Sequence, residues 1–228
     1  VILLGTLMFG LSYFMTWPFL AIVLSRDFNM SAAQIGGVLS LAAFTGAGAS
    51  LLSGALSDRY GRKVIIIASN ITIAVAFAIM ASANTALFII IGAVMVVTTR
   101  HIVDPPTRAI LTDLTNDKKT RELAFHLNYF MVNVGATTGP FIALFLGITA
   151  RQSTFWVTCG VILIYTLALT ATLWKVANKH DHSEQTKFKQ VFSVLGADRI
   201  FLWLMIGSIL IAYTYAQQDS TLVQYLTH

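Results

Sequence analysis

The sequence predicts an all-α, polytopic membrane helix bundle, and three observations carry that prediction. Of 228 residues, 56% are hydrophobic and only 11% are charged, against roughly 25% charged in an average soluble domain. The charges are unevenly spread: no Asp, Glu, Lys or Arg occurs in 1–25, 28–57, 64–99, 123–150, 152–174 or 200–218. Each of these runs approaches or exceeds the roughly 20 residues that a helix needs to cross a hydrocarbon core about 30 Å thick. A transmembrane barrel would instead alternate in polarity over segments of about ten residues, and the stretch ALFIIIGAVMVV at 86–97 does not.

The runs resolve into seven helices. The run 64–99 holds 36 residues, about 54 Å of helix at 1.5 Å per residue, which is too long for one crossing. Ser82, Ala83, Asn84 and Thr85 interrupt it as a tight hairpin. Helices are therefore expected near 3–25, 33–57, 64–83, 86–112, 123–149, 153–176 and 200–224. The expected organisation is a six-helix bundle over 1–176, a linker over 177–199, and the first helix of a second bundle over 200–228. Phe188, Val191, Phe192 and Leu195 share one face of a helix within that linker, the pattern of a short amphipathic helix on a membrane surface. Val1 lies at the start of the first helix and the chain stops just after the seventh, so the expectation is a piece of a longer protein.

Charge sets the expected orientation. The connections near 26–32, 84–85 and 150–152 hold only Arg26 and Arg151, whereas the others hold eleven of the fifteen basic residues. Lys and Arg accumulate on the cytoplasmic side of membrane proteins, which puts the N-terminus inside. The same positions account for the net charge of +5 without a nucleic-acid partner. A single cysteine, Cys159, excludes a disulfide framework within the chain. His180 and His182 lack further ligands nearby, so no metal or cofactor is expected.

Residues 54–63 read GALSDRYGRK. Gly54 suits close helix packing and Gly61 a sharp turn, while Asp58 stands among Arg59, Arg62 and Lys63. As physics alone, this is a positively charged anchor loop. The pattern also resembles the signature loop of the major facilitator superfamily, Gly-x-x-x-Asp-Arg-x-Gly-Arg-Lys, at the matching place between the second and third helices. The resemblance implies a membrane transporter working by alternating access, with two six-helix halves and each half built from two inverted three-helix repeats. It further implies that Asp58, Arg59 and Arg62 form a conformational charge network with Asp113 at the end of helix four.

Helix five carries Gly135, Gly139 and Pro140 in the segment NVGATTGPFIA. Small residues four apart let a neighbouring helix approach closely, and the proline frees a backbone carbonyl. The segment resembles, in part, the antiporter motif of drug-efflux members, with Ala143 and Leu144 where those members continue with glycines. With MTWPFLAIVLSRDF in helix one and TYAQQDSTLVQYL in helix seven, the chain resembles bacterial multidrug and peptide exporters. The implied setting is the bacterial inner membrane and the implied activity proton-coupled efflux of small organic solutes. An importer of the same fold is the alternative. A seven-helix receptor is more remote, because its N-terminus lies outside and a retinal pigment needs a lysine that 200–226 lacks. An ATP-driven pump is excluded by the absence of a Gly-x-x-x-x-Gly-Lys-Ser/Thr loop.

Polar residues inside apolar helices complete the reading, since a charge in the membrane is costly and faces a cavity or a partner. Arg100, Asp104 and Arg108 recur every four residues on helix four and share one face. They fit either an ionisable coupling site or a self-satisfied ion pair, with Pro105 and Pro106 suggesting a helix already broken there. His126, Tyr129, Asn133 and Thr137 make a polar stripe on helix five, expected to face the central cavity. Histidine is the side-chain type that changes charge near neutral pH, which makes His126 a coupling candidate. Coupling candidates are Arg100, Asp104, His126 and Asp219; solute-contact candidates are Tyr13, Trp17, Asn133, Tyr213 and Gln217. No catalytic constellation occurs.

Overall fold

In a computed structural model, residues 2–115, 117–149 and 151–174, together with 200, 203 and 207, are described. The chain divides into two units, Val1–Asn178 and Lys179–His228, and the first of these holds the helix bundle. The linker at 177–199 and most of the seventh expected helix lie outside the described residues.

Among the described residues of the first unit, seven α-helices form six spans. The first span is α1 (Ile2–Thr16), a single 3-10 turn at Trp17–Phe19, and α2 (Leu20–Phe28). The second to sixth are α3 (Ala32–Tyr60), α4 (Arg62–Ala81), α5 (Ala86–Asp113), α6 (Lys118–Phe145) and α7 (Ser153–Leu173). Among the described residues, five segments are long and apolar enough to cross a membrane: Ile2–Phe28, α3, α4, α5 and α7. The span α6 is as long as α5 but more polar, because Lys118, Lys119, Arg121 and Glu122 occupy its first turns and Asn128 and Asn133 its middle.

Local chemistry sets each boundary. Pro18 removes a backbone donor, and the first span passes through 3-10 geometry there, where the apolar run predicts one continuous helix. Ser31 caps α3 in a reciprocal capping box with Gln34. The segment 54–63 is not a loop: α3 runs through Tyr60, α4 starts at Arg62, and Gly61 alone joins them at φ 87°. Only a glycine adopts that backbone readily. The hairpin after α4 falls at residues 82–85 as expected, and Gln152 donates to the carbonyls of Met80 (3.0 Å) and Ala83 (2.6 Å) there.

The helix at α6 begins earlier and ends earlier than expected. Asp117 accepts from the Thr120 amide and starts it. Gly147, at φ 64°, stops it, with Ile148 N–H bonding back to the Ala143 carbonyl at 3.0 Å. The expected break at Pro105 and Pro106 does not occur, for α5 continues to Asp113. Pro106 leaves the Ile102 carbonyl without its helical donor, and the buried Ser53 of α3 supplies one at 2.7 Å.

The packing order has an internal two-fold pattern. The span α1 packs most extensively on α6, as α5 does on α3; α1 also meets α7, as α5 meets α4, and α4 meets α7 between them. Exchanging span n with span n+3 swaps the first two kinds of pairing between α1 and α5 and returns α4–α7 to itself, the signature of two three-helix repeats. The interior holds a large apolar cluster including Leu24, Ile73, Phe77, Ile89, Val96 and Phe155. A smaller cluster of Ile66, Val103, Ile110, Leu169 and Leu173 lies toward Gly61. The outer surface carries large apolar side chains, with Phe44 80% and Phe145 89% exposed. A soluble monomer does not display such a surface; a lipid-facing one does.

Candidate functional site

The helix pair α1–α6 sets the geometry of the site. A Cβ added at Gly135 would lie 2.7 Å from the Leu11 amide nitrogen, and one at Gly139 would lie 2.6 Å from the Leu11 carbonyl oxygen. The two backbones therefore touch, and only glycines permit it. This contact fixes α1 beside α6, with α5 across from them. A cleft of about 110 Å³ opens between these helices, lined by Thr6 and Gly10 of α1, Arg100, Asp104 and Arg108 of α5, and Asn128 of α6. Asn70 of α4, Thr107 of α5 and Tyr165 of α7 also line it.

Arg100 dominates the cleft. It sits halfway along α5, about 21 Å from Ala86 by helical rise. Its guanidinium lies over two rings of α1, Phe9 at 4.7 Å and Tyr13 at 4.6 Å from their centres. Cation–π attraction holds it there. The column of rings is extended by Trp17, stacked on Tyr13 at 5.3 Å. Arg100 Nε is 3.8 Å from Asp104 Oδ2, an ion pair too long for a hydrogen bond. Arg100 Nη1 is buried and donates to no acceptor among the described residues. Arg108 is exposed and makes no ion pair among the described residues. Thr6 Oγ1 donates to Asn128 Oδ1 at 2.7 Å, which orients the Asn128 amide and leaves its NH2 group free to donate.

A second charged feature lies where α3 and α4 join. Arg62 pairs with Asp113, the last residue of α5. Asp58 is exposed and unpaired among the described residues, and Arg59 lies over the Tyr60 ring at 5.3 Å. Of the four residues expected to form one network, two meet. Gly54 is exposed, with nothing within 4 Å of an added Cβ, so its expected close packing is not made within this unit.

The model of the Major Facilitator Superfamily matches residues 2–228. The chain belongs to that superfamily. This facilitator is 29% identical over 228 residues to an uncharacterized MFS-type transporter, YqjV of Bacillus subtilis, covering 99% of the chain and 55% of the relative. It is 24% identical to the multidrug resistance protein MdtH of Proteus mirabilis, covering 88% of the chain and 49% of that protein. It is 25% identical to a Na(+), Li(+), K(+)/H(+) antiporter of Planococcus maritimus, covering 98% of the chain and 56% of that protein. The facilitator chain thus spans about half the length of the curated relatives it matches. Its fold matches a crystal structure of the peptide transporter POT in complex with sulfate, with a TM-score of 0.59 at 16% identity, over 95% of the chain and 46% of that structure.

The facilitator's remaining sequence-predicted residues fall in three places. Arg100 and Asp104 line the cleft, while Tyr13 stacks beneath the Arg100 guanidinium and Trp17 beyond it. His126, Tyr129, Asn133 and Thr137 do not line this cleft; all four are exposed on α6 within this unit. Asn133 Nδ2 donates to the Tyr129 carbonyl of its own helix at 2.7 Å. Tyr213, Gln217 and Asp219 lie outside the described residues. Sequence reasoning missed Thr6, Asn70 and Asn128, each a single polar residue in a different helix.

Proposed function

We propose that the full-length facilitator is a secondary active transporter working by alternating access, exporting small organic solutes such as drug-like compounds or peptides in exchange for protons. The observation that carries this reading is the charged cleft around Arg100 and Asp104, halfway along a span in an otherwise apolar bundle. Ionisable groups so placed are expensive and mark solute or ion pathways. The close α1–α6 contact at Gly135 and Gly139 supports the antiporter-like reading of that segment, as do the names of the multidrug and antiporter relatives. Alternating access then requires a latch that differs between two states. The Arg62–Asp113 pair, with Asp58 and Arg59 beside it, is that latch, and Asp58 engages the other half of the protein. The basic loops face the cytoplasm of a bacterial inner membrane, with the N-terminus inside.

The test is dye or drug accumulation in cells carrying the full-length reading frame, with and without a proton uncoupler. Lower accumulation that the uncoupler abolishes supports export. Higher, uncoupler-sensitive accumulation assigns import, and no change in either condition overturns proton-coupled transport of the compounds tested.

A further inference from the structure

The charge and hydrogen-bond balance of the cleft points to the chemical class of its occupant. Two guanidiniums, Arg100 and Arg108, face one carboxylate, Asp104, in a single cleft. Donors exceed acceptors as well. Arg100 Nη1 has no acceptor among the described residues, the Asp104 contact is too long to be a hydrogen bond, and the Asn128 amide has donors to spare. A buried donor on a charged group without an acceptor is costly. The Phe9 and Tyr13 rings hold the guanidinium in place but offer no lone pair. At about 110 Å³ the cleft is small beside the roughly 300–1,000 Å³ of a drug-sized site. It accommodates a head group, with the rest of the solute outside it.

We infer that this cleft binds a carboxylate, the anionic group of the solute that the protein moves. Arg100 is its principal partner, Arg108 the second cation, and Asn128 a neutral donor. A planar guanidinium matches a carboxylate with two parallel hydrogen bonds, which a lysine does not reproduce. A monovalent metal cation is the wrong sign for this cleft. The inference rests on the transporter reading for the word solute, and it holds for either direction of transport.

The test uses the full-length protein in a Cys159→Ala background, with Thr107→Cys as a reporter on the cleft wall. Its reaction rates are compared for two methanethiosulfonate reagents of similar size, one bearing a sulfonate and one a trimethylammonium group. The sulfonate-to-trimethylammonium rate ratio is expected to exceed that of a free thiol by roughly two orders of magnitude, the effect on two oppositely charged reagents of one unit charge about 10 Å away at an effective dielectric of about 20. Arg100→Gln should return the ratio toward the free-thiol value. Benzoate should slow the sulfonate reaction, benzyl alcohol should not, and Arg100→Lys should restore the rate ratio but not the benzoate protection. A ratio at or below that of a free thiol overturns the inference, as does equal protection by benzyl alcohol. Uncoupler-sensitive accumulation is read separately on the same cells. Carboxylate protection without transport would remove the transporter reading alone; transport without protection would remove the carboxylate inference alone.

Discussion

Ser53 of α3 donates a 2.7 Å hydrogen bond to the carbonyl of Ile102 on α5, the carbonyl that Pro106 strips of its helical donor. The bond crosses between two spans and satisfies one of the two carbonyls that Pro105 and Pro106 leave without a helical donor. Ser53 is fully buried, so no water replaces it. Ser53→Ala should destabilise the bundle by about 1 kcal/mol, the scale of interhelical hydrogen bonds in membranes. Ser53→Val should cost more by adding bulk. Thermal unfolding of the purified full-length protein checks this, and an unchanged midpoint for both variants would remove the bond's role.

The glycines divide sharply by environment. Gly135→Ala places a methyl 2.7 Å from the Leu11 backbone and must force α1 from α6. Overpacking of this kind costs about 2 kcal/mol. Gly54→Ala meets nothing within this unit and should leave the stability of the six-span bundle unchanged. If Gly54→Ala nonetheless reduces transport while folding normally, its packing partner lies elsewhere in the protein.

The proposed latch makes a prediction about rates rather than stability. The Arg62 and Asp113 side chains are 37% and 40% exposed, and ion pairs that open to solvent contribute roughly 0–1 kcal/mol. Arg62→Asp and Asp113→Arg should each reduce transport, and the charge-swapped double variant should recover part of it. Asp58→Lys should reduce transport without abolishing membrane insertion. Unchanged transport in Asp58→Lys would remove its latch role.

Much of the architecture is legible in the sequence because membrane spans write themselves as charge-free runs. Residues 82–85 and Gly61 announce their turns by residue type. Less legible are features set by neighbours on other helices. Pro105 and Pro106 read as a break because the sequence does not show Ser53 beside Ile102. Gly147 does not stand out because the apolar run continues beyond it. The cleft shows the same limit more plainly. The periodic stripe from His126 to Thr137 is conspicuous along one helix, yet none of it reaches the cleft. The cleft draws single polar residues, Thr6, Asn70 and Asn128, from three helices. Periodicity ranks faces of one helix but does not say which helices meet, and that pairing is set by Gly135 and Gly139 against α1.

The charged cleft is the centre of the functional account, and Arg100 is its most exacting residue. The most direct measurement is the initial rate of uncoupler-sensitive solute transport by the full-length protein, wild type against Arg100→Gln, at matched expression. Loss of a charge-assisted contact worth at least about 1.5 kcal/mol corresponds to a fall of roughly tenfold or more, and the account predicts such a fall with membrane insertion intact. Equal rates in the two proteins would contradict it.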